Sequence, residues 1–243
     1  MDYIHAIEQR TSRRSFRNTP IAAETLERLK KQIALANEQS GLTIQYLEDG
    51  SSAFEGVKSY GMFHGVRSML VLKGDRRLPA LKEKVGYYGE RLILIAQELG
   101  LGSCWVGGTF DRRSAVFAIA PEEEIVCVVP IGNVSALTVK EKVIRGVTHR
   151  STKALEEMIR ADRPLTEEET AAMQLVQLAP TAKNTQKVVF SFYGETITAS
   201  VPDDYPFDLV DLGICKLHFE EGMKALFPQG HFQWGNGGAF QTN

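Results

Sequence analysis

The chain has 243 residues, 43% of them hydrophobic and 24% charged, with a formal net charge of −2. That size and balance suit one large or two small globular domains and exclude disorder of the whole chain. The near-neutral charge provides no basic field for nucleic acid or an anionic surface, and no run approaches the ~20 apolar residues of a membrane span.

Ile4 and Ile7 place an apolar stripe on a short first helix that runs into Thr11-Ser12-Arg13-Arg14-Ser15-Phe16-Arg17. The opening residues lack a basic region followed by an apolar one, so the expected location is the cytoplasm. After Pro20, the spacing of Leu26, Leu29, Ile33 and Ala36 predicts a second helix. Leu42, Ile44 and Tyr46 alternate with polar residues, as a half-buried strand does, and Val66 to Leu72 reads as another strand, ended by Gly74. Val85, Tyr88, Leu92, Ile95 and Leu99 predict a long amphipathic helix that stops at Gly100, where a glycine-rich turn runs to Gly108. Ile125 to Ile131 is a nearly continuous apolar run, expected of a strand covered on both faces.

From about Ile144 the pattern restarts in shortened form. Leu155, Met158 and Ile159 mark a helix, Ala172, Leu175 and Val176 another, and Phe190 with Phe192 opens a hairpin turning at Gly194-Glu195. Leu209 to Leu226 reads as a last helix with Val210, Gly213, Ile214 and Leu217 on one side. The order helix, helix, strand, helix repeats that of the opening part and reads as a duplication, with halves at 1–145 and 146–243. No proline- or serine-rich linker separates them, so they are expected to share one core. Helices and short strands without regular βαβ alternation indicate an α+β fold.

Cys104, Cys127 and Cys215 are far apart, with no CxxC pair, and read as reduced, buried thiols. The five histidines are scattered without zinc-ligand spacing, so no metal site is expected. Glu122-Glu123-Glu124 reads as a solvated loop, and His218 as a packed core histidine.

Three stretches could carry chemistry. Arg13, Arg14, Ser15 and Arg17 offer guanidinium forks and a hydroxyl suited to a phosphate, although a solvated basic turn after a helix would look the same. The turn Gly100-Leu-Gly-Ser-Cys-Trp-Val-Gly-Gly108 is no dinucleotide fingerprint, because a helix precedes it and Trp105 holds the third glycine position. It leaves a turn where backbone can approach a planar ligand, or else a helix C-cap followed by a buried tryptophan. Ala179-Pro-Thr-Ala-Lys-Asn-Thr-Gln186 places donors and acceptors on a short loop that could read a heterocycle edge; an ordinary Pro/Asn turn is the alternative.

Taken in order, these segments resemble the FMN-dependent nitroreductase family. Arg13-Arg14-Ser15-Phe16-Arg17 resembles that family's flavin-phosphate motif, and the 179–186 stretch resembles its Ala-Pro-Ser-x-x-Asn-x-Gln loop. The stretch Gly86 to Gly108 resembles the family's central helix and following turn, and Pro130-Ile-Gly132 the Pro-Leu-Gly that ends a family strand. In the usual layout the Ala-Pro-Ser loop follows the Arg-Arg-Ser helix by a few dozen residues, and two identical subunits share two FMN sites. Here the loop occurs only in the second half. The chain thus resembles a tandem subfamily in which one polypeptide stands for both subunits, which makes a monomer plausible.

The resemblance implies a nitroreductase-like fold, bound FMN, and NADH or NADPH as electron donor to a nitroaromatic, quinone or similar acceptor. It implies that Arg13, Arg14, Ser15 and Arg17, with Arg150 from the His149-Arg150-Ser-Thr-Lys153 segment, bind the phosphate. Pro180, Thr181, Ala182, Asn184 and Gln186 would lie along the ring and ribityl chain, and Val106 and Gly107 would offer backbone amides to the ring edge. No protein acid or nucleophile is needed, because the flavin carries the chemistry. A flavin carrier, or a degenerate relative without turnover, is the alternative; a nucleic-acid or membrane partner is not expected.

Overall fold

The computed structural model describes residues 2–55, 61–148 and 152–242. In chain order the elements are α1 (Tyr3–Gln9), α2 (Ala23–Ser40), β1 (Gln45–Leu47), β2 (Ser68–Asp75), α3 (Leu81–Glu98), β3 (Gly102–Ser103), β4 (Glu123–Gly132) and α4 (Val139–Thr148). They continue with β5 (Ile159–Ala161), α5 (Glu167–Gln177), β6 (Val189–Tyr193), β7 (Thr196–Ser200), α6 (Asp208–Met223), β8 (His231–Phe232) and β9 (Phe240–Gln241). This is a mixed α+β chain with two compact units. One comprises Gln9–Leu81 and Leu92–Val147, the other Asp2–Glu8, Lys82–Arg91 and Thr148–Asn243. The sequence divides the chain at 145/146; in the structure the second unit also takes in α1 and the first turns of α3.

In the first unit an antiparallel sheet has the order β1-β2-β4-β3. Its two long central strands are the apolar runs read from the sequence, and Leu70, Leu72, Val128 and Val129 are fully buried on them. The α2 helix turns Leu29, Ile33 and Ala36 inward, as their spacing requires, and ends at left-handed Gly41. Val71, Val106, Phe110 and Val128 pack in one cluster with Met69 and Ile125. Glu123 does not belong to a solvated loop. It is buried at the start of β4, where it takes an ion pair from Lys73 and a hydrogen bond from Thr43 Oγ1. The α4 helix falls in a stretch between the predicted strand ending at Ile131 and the helix predicted from Leu155, where the sequence predicts no element.

In the second unit β5 runs parallel to β6, and β6 pairs antiparallel with β7 around the Gly194 turn. The helix expected from Leu155, Met158 and Ile159 is absent. A three-residue 3-10 turn covers Leu155–Glu157, and Ile159–Ala161 then pairs with Phe190–Phe192. Three apolar residues at helical spacing are too few to resist a partner strand that supplies backbone hydrogen bonds and an apolar face. The α5 helix starts with a capping box, in which Thr166 accepts the Glu169 N–H and the Glu169 carboxylate accepts the Thr166 N–H.

The sequence gives α6 one apolar side, yet it is buried nearly all round: Val210, Leu212, Ile214, Leu217 and Phe219 are joined by Asp208, Asp211, Lys216 and His218. It meets the start of α3 backbone to backbone. A Cβ on Gly213 would lie 1.9 Å from the Glu83 carbonyl oxygen, and one on Gly86 2.0 Å from that of Val210. Only glycine allows this approach. Phe190, Phe219, Phe232 and Phe240 complete the core, with Phe190 stacked on Phe219 at 5.1 Å.

Candidate functional site

The Arg13–Arg17 segment is not a continuation of α1. It is extended and held on both sides by backbone hydrogen bonds: Arg13 N–H to Ser103 O (2.8 Å), His64 N–H to Arg14 O (2.9 Å) and Phe16 N–H to His64 O (2.9 Å). Gly102 makes room for it, since a Cβ there would stand 2.3 Å from Val134 and 3.0 Å from the Arg13 stem. The glycine of the turn therefore admits the arginine side chain.

One carboxylate oxygen, Glu141 Oε1, accepts the N–H of Arg14 (2.8 Å), the N–H of Ser15 (3.0 Å) and Nε of Arg13 (3.1 Å). Arg13 Nη2 also donates to Ser135 O, and Arg17 Nε to Ser135 Oγ. Two consecutive backbone N–H groups and a guanidinium form an anion-binding cradle, and a carboxylate occupies it as a stand-in anion. Burial pushes the Glu141 carboxyl up, but the hydrogen bonds from Thr138, Arg14, Arg13 and Ser15 outweigh it and hold the group at about 2. The donor set thus fits an anionic oxygen of the kind a flavin phosphate presents. Glu141 was missed in the sequence, although Thr138-Val-Lys-Glu141 carries the capping-box spacing.

Val106 does not offer its amide to a ligand. Its N–H donates to Val128 O (2.9 Å) and its carbonyl accepts the Val128 N–H (3.0 Å), because the residue extends the sheet beside β4. Gly107 is half-buried, and its carbonyl accepts a hydrogen bond from Arg112 Nη2 (2.7 Å). Arg112 also donates to the carbonyls of Ile125 and Val126, so it pins the turn to β4.

In the second unit the Pro180–Gln186 loop carries unusual backbone geometry. Lys183, Asn184 and Gln186 have φ of 54°, 55° and 46°, in the left-handed region that costs a non-glycine residue about 1–2 kcal/mol. The surroundings enforce it. Both oxygens of buried Asp211 accept the Ala182 N–H (3.0 and 2.9 Å), and Thr181 Oγ1 accepts the Gln186 N–H (3.1 Å). Gln186 is itself buried; its Oε1 accepts the Lys153 N–H (2.8 Å) and its Nε2 donates to Gln177 O (3.0 Å). Its amide group therefore holds the loop's base. Pro180, Thr181, Ala182 and Asn184 are half-buried on the loop itself. Arg150 lies outside the described residues, while Lys153 of the same segment is tied to Gln186 through Nζ as well.

Burial raises the Asp211 carboxyl to about 7; the Ala182 N–H and Lys187 pull it down only in part, and Asp208 adds to the rise. The thiols of Cys104 and Cys215 are likewise pushed up by burial, which fits packed, unreactive sulfur. His218 is fully buried, with Nδ1 against Leu175 O and Nε2 facing Glu90. Among the described residues no cluster of His, Cys, Asp and Glu could hold a metal ion, and no helix is long and apolar enough to cross a membrane.

A known structure shares this fold. A Thermotoga maritima protein described as a putative nitroreductase aligns over 99% of this chain and 92% of its own, with a TM-score of 0.65 at 19% identity. An FMN-dependent nitroreductase from Clostridium difficile (18% identity, TM-score 0.45) covers 56% of this chain and 89% of its own. A nitroreductase with bound FMN from Bacteroides fragilis (14% identity, TM-score 0.46) covers 57% and 91%. No curated protein matches the chain. The model of the family described as "Putative TM nitroreductase" matches residues 2–223, nearly the whole length, and the chain belongs to that family.

Proposed function

We propose that the chain is an FMN-dependent oxidoreductase of the nitroreductase type, taking electrons from NADH or NADPH and passing them to a nitroaromatic, quinone or similar acceptor. The observation that carries this reading is the convergence of the Arg14 and Ser15 N–H groups and the Arg13 guanidinium on one anionic oxygen. Membership of a nitroreductase family supports a flavin phosphate as the anion that these donors would hold when the carboxylate of Glu141 is away. Bound FMN would supply two-electron transfer through its ring.

The chain's own contribution is positioning. Arg13, Arg14, Ser15 and Arg17, with Arg150, are assigned the phosphate; Pro180, Thr181, Ala182 and Asn184 are assigned the ring and ribityl chain. Gly107, held by Arg112, is assigned the ring edge with its N–H. Gln186 acts beneath the loop through its bonds to Lys153 and Gln177. A chain carrying both halves is proposed to act as a monomer, which sedimentation measures directly.

The test is a visible spectrum of the purified protein, before and after incubation with FMN, followed by anaerobic addition of NADH or NADPH. Bound flavin that bleaches, and recovers its colour with an acceptor, supports the enzyme. Bound flavin that neither nucleotide bleaches makes the protein a carrier. A protein that stays colourless after loading ends the FMN reading.

A further inference from the structure

The cradle that suits a phosphate already holds a carboxylate from the chain itself. Glu141 Oε1 takes all three donors of Arg13, Arg14 and Ser15, while Oε2 accepts from the N–H (2.9 Å) and the hydroxyl (3.0 Å) of Thr138. The Thr138 hydroxyl in turn accepts the Glu141 N–H at 3.2 Å. The carboxylate is thus fixed to the first turn of α4 at one oxygen and to the cradle at the other.

A second observation concerns the rest of α4. A surface helix ordinarily packs by its apolar stripe. Here Val139 and Val143, one turn apart, are 78% and 61% exposed, and Lys142 is exposed too. Of the α4 side chains described, only Glu141 is buried. Among the described side chains, the start of the helix is therefore held by polar contacts, which another anion could replace.

We propose that Glu141 is a tethered competitor for the phosphate of FMN, and that α4 withdraws this carboxylate from Arg13–Ser15 when the cofactor loads. This rests on the FMN reading above. A carboxylate and a dianionic phosphate cannot share these donors, because each like charge raises the cost of the other. Glu141 satisfies the cradle and spares Arg13 an unpaired, largely buried charge, and affinity for FMN is set by the difference between two anions. Glu141 then limits retention of FMN, and any interaction that draws α4 away tightens it.

The experiment compares the full-length protein with Glu141→Gln by fluorescence titration of FMN, with riboflavin as a phosphate-free control and inorganic phosphate as a probe in thermal unfolding. An occluded state lowers apparent affinity by the fraction competent to bind, so Glu141→Gln is expected to bind FMN at least about tenfold more tightly. Riboflavin binding should not change, and phosphate should raise the unfolding temperature of the variant more than that of the parent. Equal or weaker FMN binding by the variant overturns the proposal; weaker binding would make Glu141 a positioning residue for Arg13. If neither protein binds FMN, the FMN reading fails, and the phosphate measurement alone decides: preferential stabilisation of the variant supports a tethered anion, equal response overturns it. Should Glu141→Gln not fold, Thr138→Ala takes its place. Tighter FMN binding there supports the proposal, and unchanged or weaker binding overturns it.

Discussion

Lys216 and Glu83, 133 positions apart in the chain, form an ion pair whose side chains are only 1% and 2% exposed. The ammonium completes its three bonds with the carbonyls of Gln233 and Gly235, both at 2.9 Å, and the second Glu83 oxygen accepts the Gly235 N–H at 2.7 Å. A buried pair is retained only when such additional bonds offset desolvation. Here they also fasten the C-terminal segment to α3 and α6. Lys216→Met is expected to destabilise the protein by about 3–5 kcal/mol, because it strands the Glu83 charge. Adding Glu83→Gln should recover part of that loss, and denaturant unfolding of both variants measures it.

Stability should also decline as pH rises from the acid side. Burial raises both Asp211 and Glu220 to about 7 in the folded protein, against hydrogen bonds from Ala182 to the first and from Tyr87 and Phe232 to the second. In the unfolded chain both carboxyls lose their protons near pH 4. Between the two values the folded state binds more protons, so ∂ΔG/∂pH is negative there, by up to about 1.4 kcal/mol per pH unit for each group. Glu141 has the opposite sign: its folded value of about 2 gives stability that is present above its unfolded pKa and lost as pH falls toward 2. Unfolding free energy measured from pH 3 to 8 should therefore fall between pH 4 and 7, and Asp211→Asn should flatten that fall. An unchanged slope in Asp211→Asn would show that Asp211 ionises normally.

Much of the architecture was legible in periodicity. The Leu29, Ile33 and Ala36 face of α2, the buried β2 and β4 runs and the Gly194 hairpin all lie where apolar spacing and turn residues put them. What escaped has a physical reason. The β5 strand has three residues and exists only because β6 accepts it. The polar residues buried on α6, such as Lys216 and Asp211, look like a solvated face until their partners on α3 and the 180–186 loop are known. For the candidate site, donor types were readable and donor allocation was not. The Val106 amide belongs to the sheet, a backbone pairing that leaves no mark in side-chain identity, and the Gln186 side-chain amide is claimed by the backbone of Lys153 and Gln177, partners that only the fold brings to it.

Gln186 provides a test of that allocation. In Gln186→Leu the partly buried Lys153 N–H and Gln177 carbonyl lose their partners; a fully buried unsatisfied group costs roughly 1–3 kcal/mol, which bounds the loss at each from above. The variant should be destabilised accordingly, and the Lys153 amide should exchange faster with solvent. If unfolding and exchange stay as in the parent while FMN binding weakens, Gln186 faces the cofactor instead.

Arg13 is where the phosphate assignment is most exposed to failure. Its side chain is 12% exposed and its guanidinium is bonded to Glu141 and Ser135, so it is already oriented toward an anionic oxygen. A charge-assisted hydrogen bond contributes about 1.5–3 kcal/mol, and Arg13→Ala should weaken FMN binding by roughly 10- to 150-fold. The same substitution removes a donor from Glu141 but leaves the N–H groups of Arg14 and Ser15 in place, and the backbone bonds of the segment to Ser103 and His64 do not involve the side chain. The fold should therefore survive, with an unchanged circular-dichroism spectrum. Riboflavin, which lacks the phosphate, should bind parent and variant alike. Equal losses for FMN and riboflavin would mean that Arg13 supports the pocket's shape and not its anion.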